Sequence, residues 1–243
     1  GTEVSKDAAA MILADDNFAT IVKAVVNGRG VYTNIKNAIN FLLSGNMAGI
    51  FSVLVCSLLN LPMPFAAVHL LFINLLTDSL PAIAIGVEPA GEGLLDQPPR
   101  DPREPILNRS LFTRIMVYGA LITSATMGAF FLGLYAPNGG AGLASTLAFA
   151  TLTLARLFHG FTCRGEHSLL RLGLTSNPAS LGAFAAGVVL LAAVLFIPGL
   201  NTLFQVSPFT SGQIGLVVLL AFLPTLILQI WKIIRDQMHT SHS

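Results

Sequence analysis

Six apolar runs, each close to the ~20 residues needed to cross a bilayer, decide what this chain can fold into. They lie at about 39–59, 66–87, 111–135, 144–164, 179–198 and 212–234. In lipid a backbone must satisfy its own hydrogen bonds, so runs of this length predict helices. Composition agrees: of 243 residues, 53% are hydrophobic and 10% charged, against about 25% charged in an ordinary soluble domain. The expected fold class is an all-α polytopic membrane protein of six spans.

The connectors alternate in charge. Asn60 to Phe65, Ala136 to Leu143 and Gly199 to Ser211 contain no Lys or Arg. Lys6, Lys23, Arg29 and Lys36 precede the first span, and Arg100, Arg103, Arg109 and Arg114 fall between Glu88 and the third. Arg164 and Arg171 occupy the fourth connection, and Lys232 and Arg235 the end. Twelve of the thirteen basic residues thus collect on one side, and the exception is Arg156. The positive-inside rule then places both termini in the cytoplasm, with lipid as an obligatory partner. A net charge of +1 gives no case for nucleic-acid binding. Cys56 and Cys163 sit in or beside separate apolar runs, without the spacing of a disulfide framework or a zinc site. The start at Gly1 is polar and acidic, so no signal peptide is expected, and the chain reads as a piece of something longer.

Residues 1–16 resemble the tail of a soluble α/β domain, with a short helix over Val4 to Met11 and a short buried strand at Met11-Ile12-Leu13-Ala14. Asn17 is a candidate helix cap. From Phe18 the apolar positions Ile21, Val22, Val25, Tyr32, Ile35, Ile39, Leu42 and Leu43 keep helical spacing into the first span. Gly28 and Gly30 weaken that helix by about 1 kcal/mol each without ending it. The expected divisions are 1–16 as a domain remnant, 17–38 as a cytoplasmic stalk, 39–234 as the membrane domain and 235–243 as a tail.

Only Asp78 and Arg156 bring a formal charge deep into the apolar runs. A carboxylate at that depth costs roughly 2.5–3.5 kcal/mol, which marks Asp78 as a candidate functional residue. Asn74 stands four residues earlier, on the same face of a regular helix, and Thr77 is adjacent. Pro81 has no N–H to bond the Thr77 carbonyl, which frees an oxygen beside the Thr77 hydroxyl and the Asp78 carboxylate. Such interrupted helices build cation sites in transporters. Calcium takes six to eight oxygens, so other spans must contribute, with Asn46 of the first as the obvious helper. Asn46 alone could equally serve as interhelical glue. Arg156 either snorkels towards headgroups at the cytoplasmic edge, which Arg164 marks ~12 Å along the helix, or points inward to pair with the Asp78 region. His159 could share its face or simply pack. Asp96-Gln97-Pro98-Pro99-Arg100-Asp101-Pro102-Arg103-Glu104-Pro105 is a stiff charged cytoplasmic loop suited to docking against another domain or simply to solvation, and Pro224 is expected to kink the last span.

Gly1-Thr2-Glu3-Val4-Ser5-Lys6, Leu13-Ala14-Asp15-Asp16-Asn17-Phe18, Asn74-Leu75-Leu76-Thr77-Asp78-Ser79-Leu80-Pro81 and Asp96-Gln97-Pro98-Pro99-Arg100 resemble, in this order, the C-terminal part of type II P-type cation ATPases. The nearest group is the calcium pumps of the sarcoplasmic-reticulum type and their bacterial relatives. The resemblance implies that residues 1–16 end the phosphorylation domain and that the spans are the fifth to tenth of ten. It makes Asn74, Thr77, Asp78 and Asn46 the Ca2+ ligands. Gly49 and Arg156 stand where two-site calcium pumps carry glutamates, which implies a single remaining calcium site and one Ca2+ per ATP. The DKTGT, TGES, GDGxND and PEGL motifs are absent from this sequence. ATP and Mg2+ therefore belong to cytoplasmic domains outside it, and the chain alone is expected to be inactive. Its partner would be the remainder of the pump, in a bacterial plasma membrane. Another cation (Na+, Mn2+ or H+) stays open, as do two other classes. A stand-alone channel or secondary transporter would favour an internal repeat, which is not seen, and a non-transporting docking subunit leaves Asp78 unexplained.

Overall fold

The computed structural model describes residues 2–15, 18–91 and 93–242, and among these every regular element is helical. The expected cap Asn17 lies outside the described residues. The helices are α1 (Thr2–Asp15), α2 (Phe18–Leu58), α3 (Ala67–Phe72), α4 (Ser79–Gly86), α5 (Arg109–Leu134), α6 (Ala141–Thr162), α7 (Leu169–Leu172), α8 (Pro178–Phe196), α9 (Leu200–Leu203) and α10 (Ser211–Thr240). A π-turn, Ile73–Thr77, joins α3 to α4 into one span, and a single 3-10 turn covers Leu94–Asp96. With α2, α5, α6, α8 and α10 this makes six spans long and apolar enough to cross a membrane.

One sequence expectation is overturned in α1. The backbone of Met11 to Ala14 is helical, continuous from Thr2, where a strand was expected. A strand needs a neighbour to pair its N–H and C=O groups, whereas a helix closes its bonds locally. The helical continuity expected from Phe18 holds: α2 runs 41 residues through Gly28 and Gly30, roughly 60 Å at 1.5 Å per residue. Pro224 lies inside α10, which continues unbroken on both sides.

Among the spans, α6 is central, packed by α5, α8, α10 and α2. Every residue from Thr146 to Leu157 is buried. Lipid tails are as apolar as leucine, so this packing relies on close approach and on polar side chains that bond locally. Thr146 and Thr153 donate to the carbonyls of Gly142 (3.0 Å) and Phe149 (2.8 Å). Two helix entries, those of α5 and α10, carry side-chain caps. Asn108 Oδ1 accepts from Leu111 N (2.9 Å), and Thr210 forms a reciprocal box with Gln213.

The broken span is fastened at both ends. At the start of α3, His69 is buried and stacked on Phe149, with ring centroids 4.3 Å apart. Its Nδ1 accepts from Ala66 N (3.0 Å), which leaves Nε2 to donate to Phe204 O (2.6 Å) and hold the α9 turn. Beyond α4, the charged loop is tied to α2. Arg29 Nη1 donates to Leu94 O (2.5 Å) and Gln97 O (2.9 Å), and Arg100 lies over the Tyr32 ring, 4.4 Å from its centroid. These contacts tie the loop to α2, while residues 96–105 themselves stay exposed.

Candidate ion site

The site begins with Pro81. This residue has no N–H for the carbonyl four residues back, and the helix changes pitch in the turn before it. It does so at Ile73–Thr77, closed by an Asp78 N to Ile73 O bond of 2.8 Å spanning five residues. The ring itself is buried against α6, where a Cβ on Gly160 would come within 2.9 Å of Pro81 Cβ. The surroundings of the two polar residues differ, although regular spacing put them on one face: Asn74 is exposed and Asp78 buried. Thr77 is buried with its hydroxyl bonded to Ile73 O (3.2 Å).

Arg156 points inward rather than towards headgroups. It and Asp78 are each 3% exposed, and they form a direct ion pair in which Nη2 donates to Asp78 Oδ2. The same Nη2 donates to Asn46 Oδ1 (3.1 Å), so α2, the broken span and α6 meet at one guanidinium. The pair is incompletely satisfied: Asp78 Oδ1 and Arg156 Nε are buried without a hydrogen-bond partner. Unpaired polar atoms at that depth are costly, and a carboxylate oxygen held this way is available to a hard cation. No group of three or more His, Cys, Asp or Glu side chains converges among the described residues, so a cation here would draw the rest of its oxygens from amides, hydroxyls and carbonyls. Of the residues singled out in the sequence, the structure thus brings together Asp78, Arg156 and Asn46. Thr77 and Pro81 shape the turn beside them, and Asn74 stands apart on the open face. Gly49 lines no contact, since a Cβ added there would meet nothing within 4 Å. His159 bonds elsewhere, its Nε2 lying 2.8 Å from Ser44 Oγ and 3.2 Å from Cys163 Sγ.

Asp78 and Arg156 are not the only buried charges. Lys232 is buried, its ammonium donating to the carbonyls of Thr162 (2.5 Å) and Gly165 (2.8 Å). Arg164, expected to mark a cytoplasmic edge, has a fully buried side chain. Its Nε and Nη2 donate to the two oxygens of Glu88, both at 2.9 Å. Ser176 Oγ (2.7 Å) and Gly173 O (3.1 Å) accept further bonds from it, and Asn177 Nδ2 donates to Glu88 Oε2 (2.6 Å). Asn34 and Asn37 of α2 join this node through Glu88 O (2.9 Å) and Arg164 O (3.3 Å). Sequence position hid this cluster, because Glu88 and Arg164 fall at or just past the ends of apolar runs, where charges are ordinarily solvated.

Residues 62–234 match the family described as Cation transporting ATPase, C-terminus. The chain belongs to this family of P-type cation ATPases. It is 37% identical over 228 residues to a calcium-transporting ATPase of Bacillus subtilis, a match covering 94% of this chain and 26% of the relative. It is 36% identical over 244 residues to calcium-transporting ATPase lmo0841 of Listeria monocytogenes, covering 98% and 27%. To the human calcium-transporting ATPase type 2C member 2 it is 35% identical over 206 residues, covering 84% and 22%. The chain spans about a quarter of the length of these relatives.

Proposed function

We propose that this chain is the ion-translocating C-terminal part of an ATP-driven calcium exporter of a bacterial plasma membrane, moving one Ca2+ per ATP with both termini in the cytoplasm. The observation that carries the reading is the half-satisfied buried pair: Asp78 keeps one free oxygen while Arg156 neutralises the other. Asp78 is the central cation ligand, Asn46 and Thr77 supply neutral oxygens, and Pro81 exposes the Thr77 carbonyl, while Asn74, on the open face, is left out of this set. Arg156 is a fixed cation in place of a second metal ion. Each divalent ion brings +2 into a low-dielectric site, and two neighbouring ions repel strongly without several carboxylates. Asp78 and Arg156 sum to zero, so a single acid from another helix balances one calcium ion only in part and two ions hardly at all.

Residues 1–16 close the phosphorylation domain, 17–38 form the stalk, 39–234 the membrane domain and 235–243 the tail. ATP and Mg2+ are handled by cytoplasmic domains, and this chain alone is inactive. The names of the relatives favour calcium over sodium, manganese or protons. Equilibrium binding of labelled calcium to the full-length pump is expected to saturate at one ion per phosphorylation site. Saturation at two ions would refute the role given to Arg156.

A further inference from the structure

We infer that Gly45 determines the cation affinity of the site, because its missing side chain is the seat on which the Arg156 guanidinium rests while it holds Asp78. This deepens the reading of Arg156 as a fixed cation and rests on it.

Gly45 lies in α2 immediately before Asn46 and is buried. A Cβ built on it would come within 2.4 Å of Arg156 Nε, 2.6 Å of Cζ and 2.7 Å of Nη2. Carbon contacts essentially never fall below about 3.0 Å, so the guanidinium occupies the place where any other residue would put its side chain. The clash is selective. It falls on the far end of a flexible side chain rather than on backbone, so an added methyl group displaces the guanidinium and leaves the helix intact. It also falls on the atoms that matter: Nη2 holds both Asp78 and Asn46, while Nε has no partner to retain it. Gly49, one turn further along α2, provides the contrast, since a Cβ there reaches nothing within 4 Å. Gly45-Asn46-Met47-Ala48-Gly49 is a G-x-x-x-G pattern, whose ordinary reading is a helix-packing face. Here its first glycine receives a charged group instead. In the fold, Gly45 keeps Asp78 compensated, so an incoming cation must compete with the guanidinium for the carboxylate.

The test is Gly45→Ala in the full-length pump, read as the calcium dependence of phosphorylation by ATP. Half-saturating calcium is expected to fall about tenfold, the change that about 1.4 kcal/mol of differential interaction produces. The same substitution in an Arg156→Lys background, where no planar group sits over position 45, is expected to shift the curve less than about twofold, as uncoupled sites do. Arg156→Gln is a second such background should the lysine variant fold poorly. An unchanged curve, a shift to weaker calcium binding, or an equal shift in the Arg156 variants would overturn the inference. Asp78→Asn separates the two levels. If that variant keeps normal calcium activation, the ion-site reading itself fails. If it loses activation while Gly45→Ala acts alike with and without Arg156, only the seat is wrong.

Discussion

Arg156, within α6, and Arg164, two residues past its end, stand eight residues apart, and each is buried in an ion pair with a carboxylate from the broken span or just beyond it. Their surroundings differ. Arg164 meets both oxygens of Glu88 in a bidentate fork, and the remaining capacity is taken by Gly173, Ser176 and Asn177. Arg156 engages a single oxygen of Asp78, leaving Asp78 Oδ1 and its own Nε unpaired. A buried pair with every bond made has nothing left to offer a ligand, and its role is to fix geometry. A buried pair with an oxygen to spare is held together by its surroundings and keeps a place for a partner. Since breaking either pair strands a charge, both resist loss, but only the incomplete one is expected to respond to calcium.

The largest effect should come from the incomplete pair. Asp78→Asn in the full-length pump is expected to raise half-saturating calcium at least about a hundredfold, because ligand charge moves calcium affinity across decades, while the protein remains folded in the membrane. Near-normal calcium-dependent phosphorylation would break the comparison on that side. The complete pair should fail differently. Glu88→Ala leaves Arg164 buried and unpaired and is expected to cost about 3–5 kcal/mol of stability, seen as a lowered midpoint of thermal inactivation. In the surviving fraction calcium activation should stay within about threefold of the parent, less than 1.4 kcal/mol. A collapse of calcium affinity without loss of stability would merge the two pairs into one site. The smallest effect sharpens the contrast within α2. Gly49→Ala adds a methyl group into open space and should change stability by less than about 0.5 kcal/mol, without altering calcium dependence. A calcium shift as large as that of Gly45→Ala would show that α2 responds to any added bulk.

What was legible in the sequence follows from rules that act locally. Span number depends on runs of about 20 apolar residues, and all six appear as spanning helices. The continuity of α2 followed from unbroken periodicity, and the distortion near Asp78 from the missing N–H of Pro81. Asp78 itself was marked by the cost of a charge among apolar neighbours. The strand expected at Met11 to Ala14 failed because strand identity depends on a pairing partner, which short apolar runs do not carry in themselves.

The tertiary structure alone decided where each polar side chain points. Asn74 and Asp78 stand four residues apart, yet one is exposed and the other buried, because neighbouring helices cover Asp78 and not Asn74. Arg156 could have snorkelled or turned inward. What settled its direction was a carboxylate on one neighbouring span, an amide on another and a bare glycine between, contributed by segments far apart in the chain. Arg164 and Glu88 looked like solvated edge charges until the turns after α4 and α6 folded over them. Hydropathy and helical spacing report what a residue costs along its own helix, and so the sequence determined the spans. Which charge meets which partner depends on distances between helices, and only packing sets those.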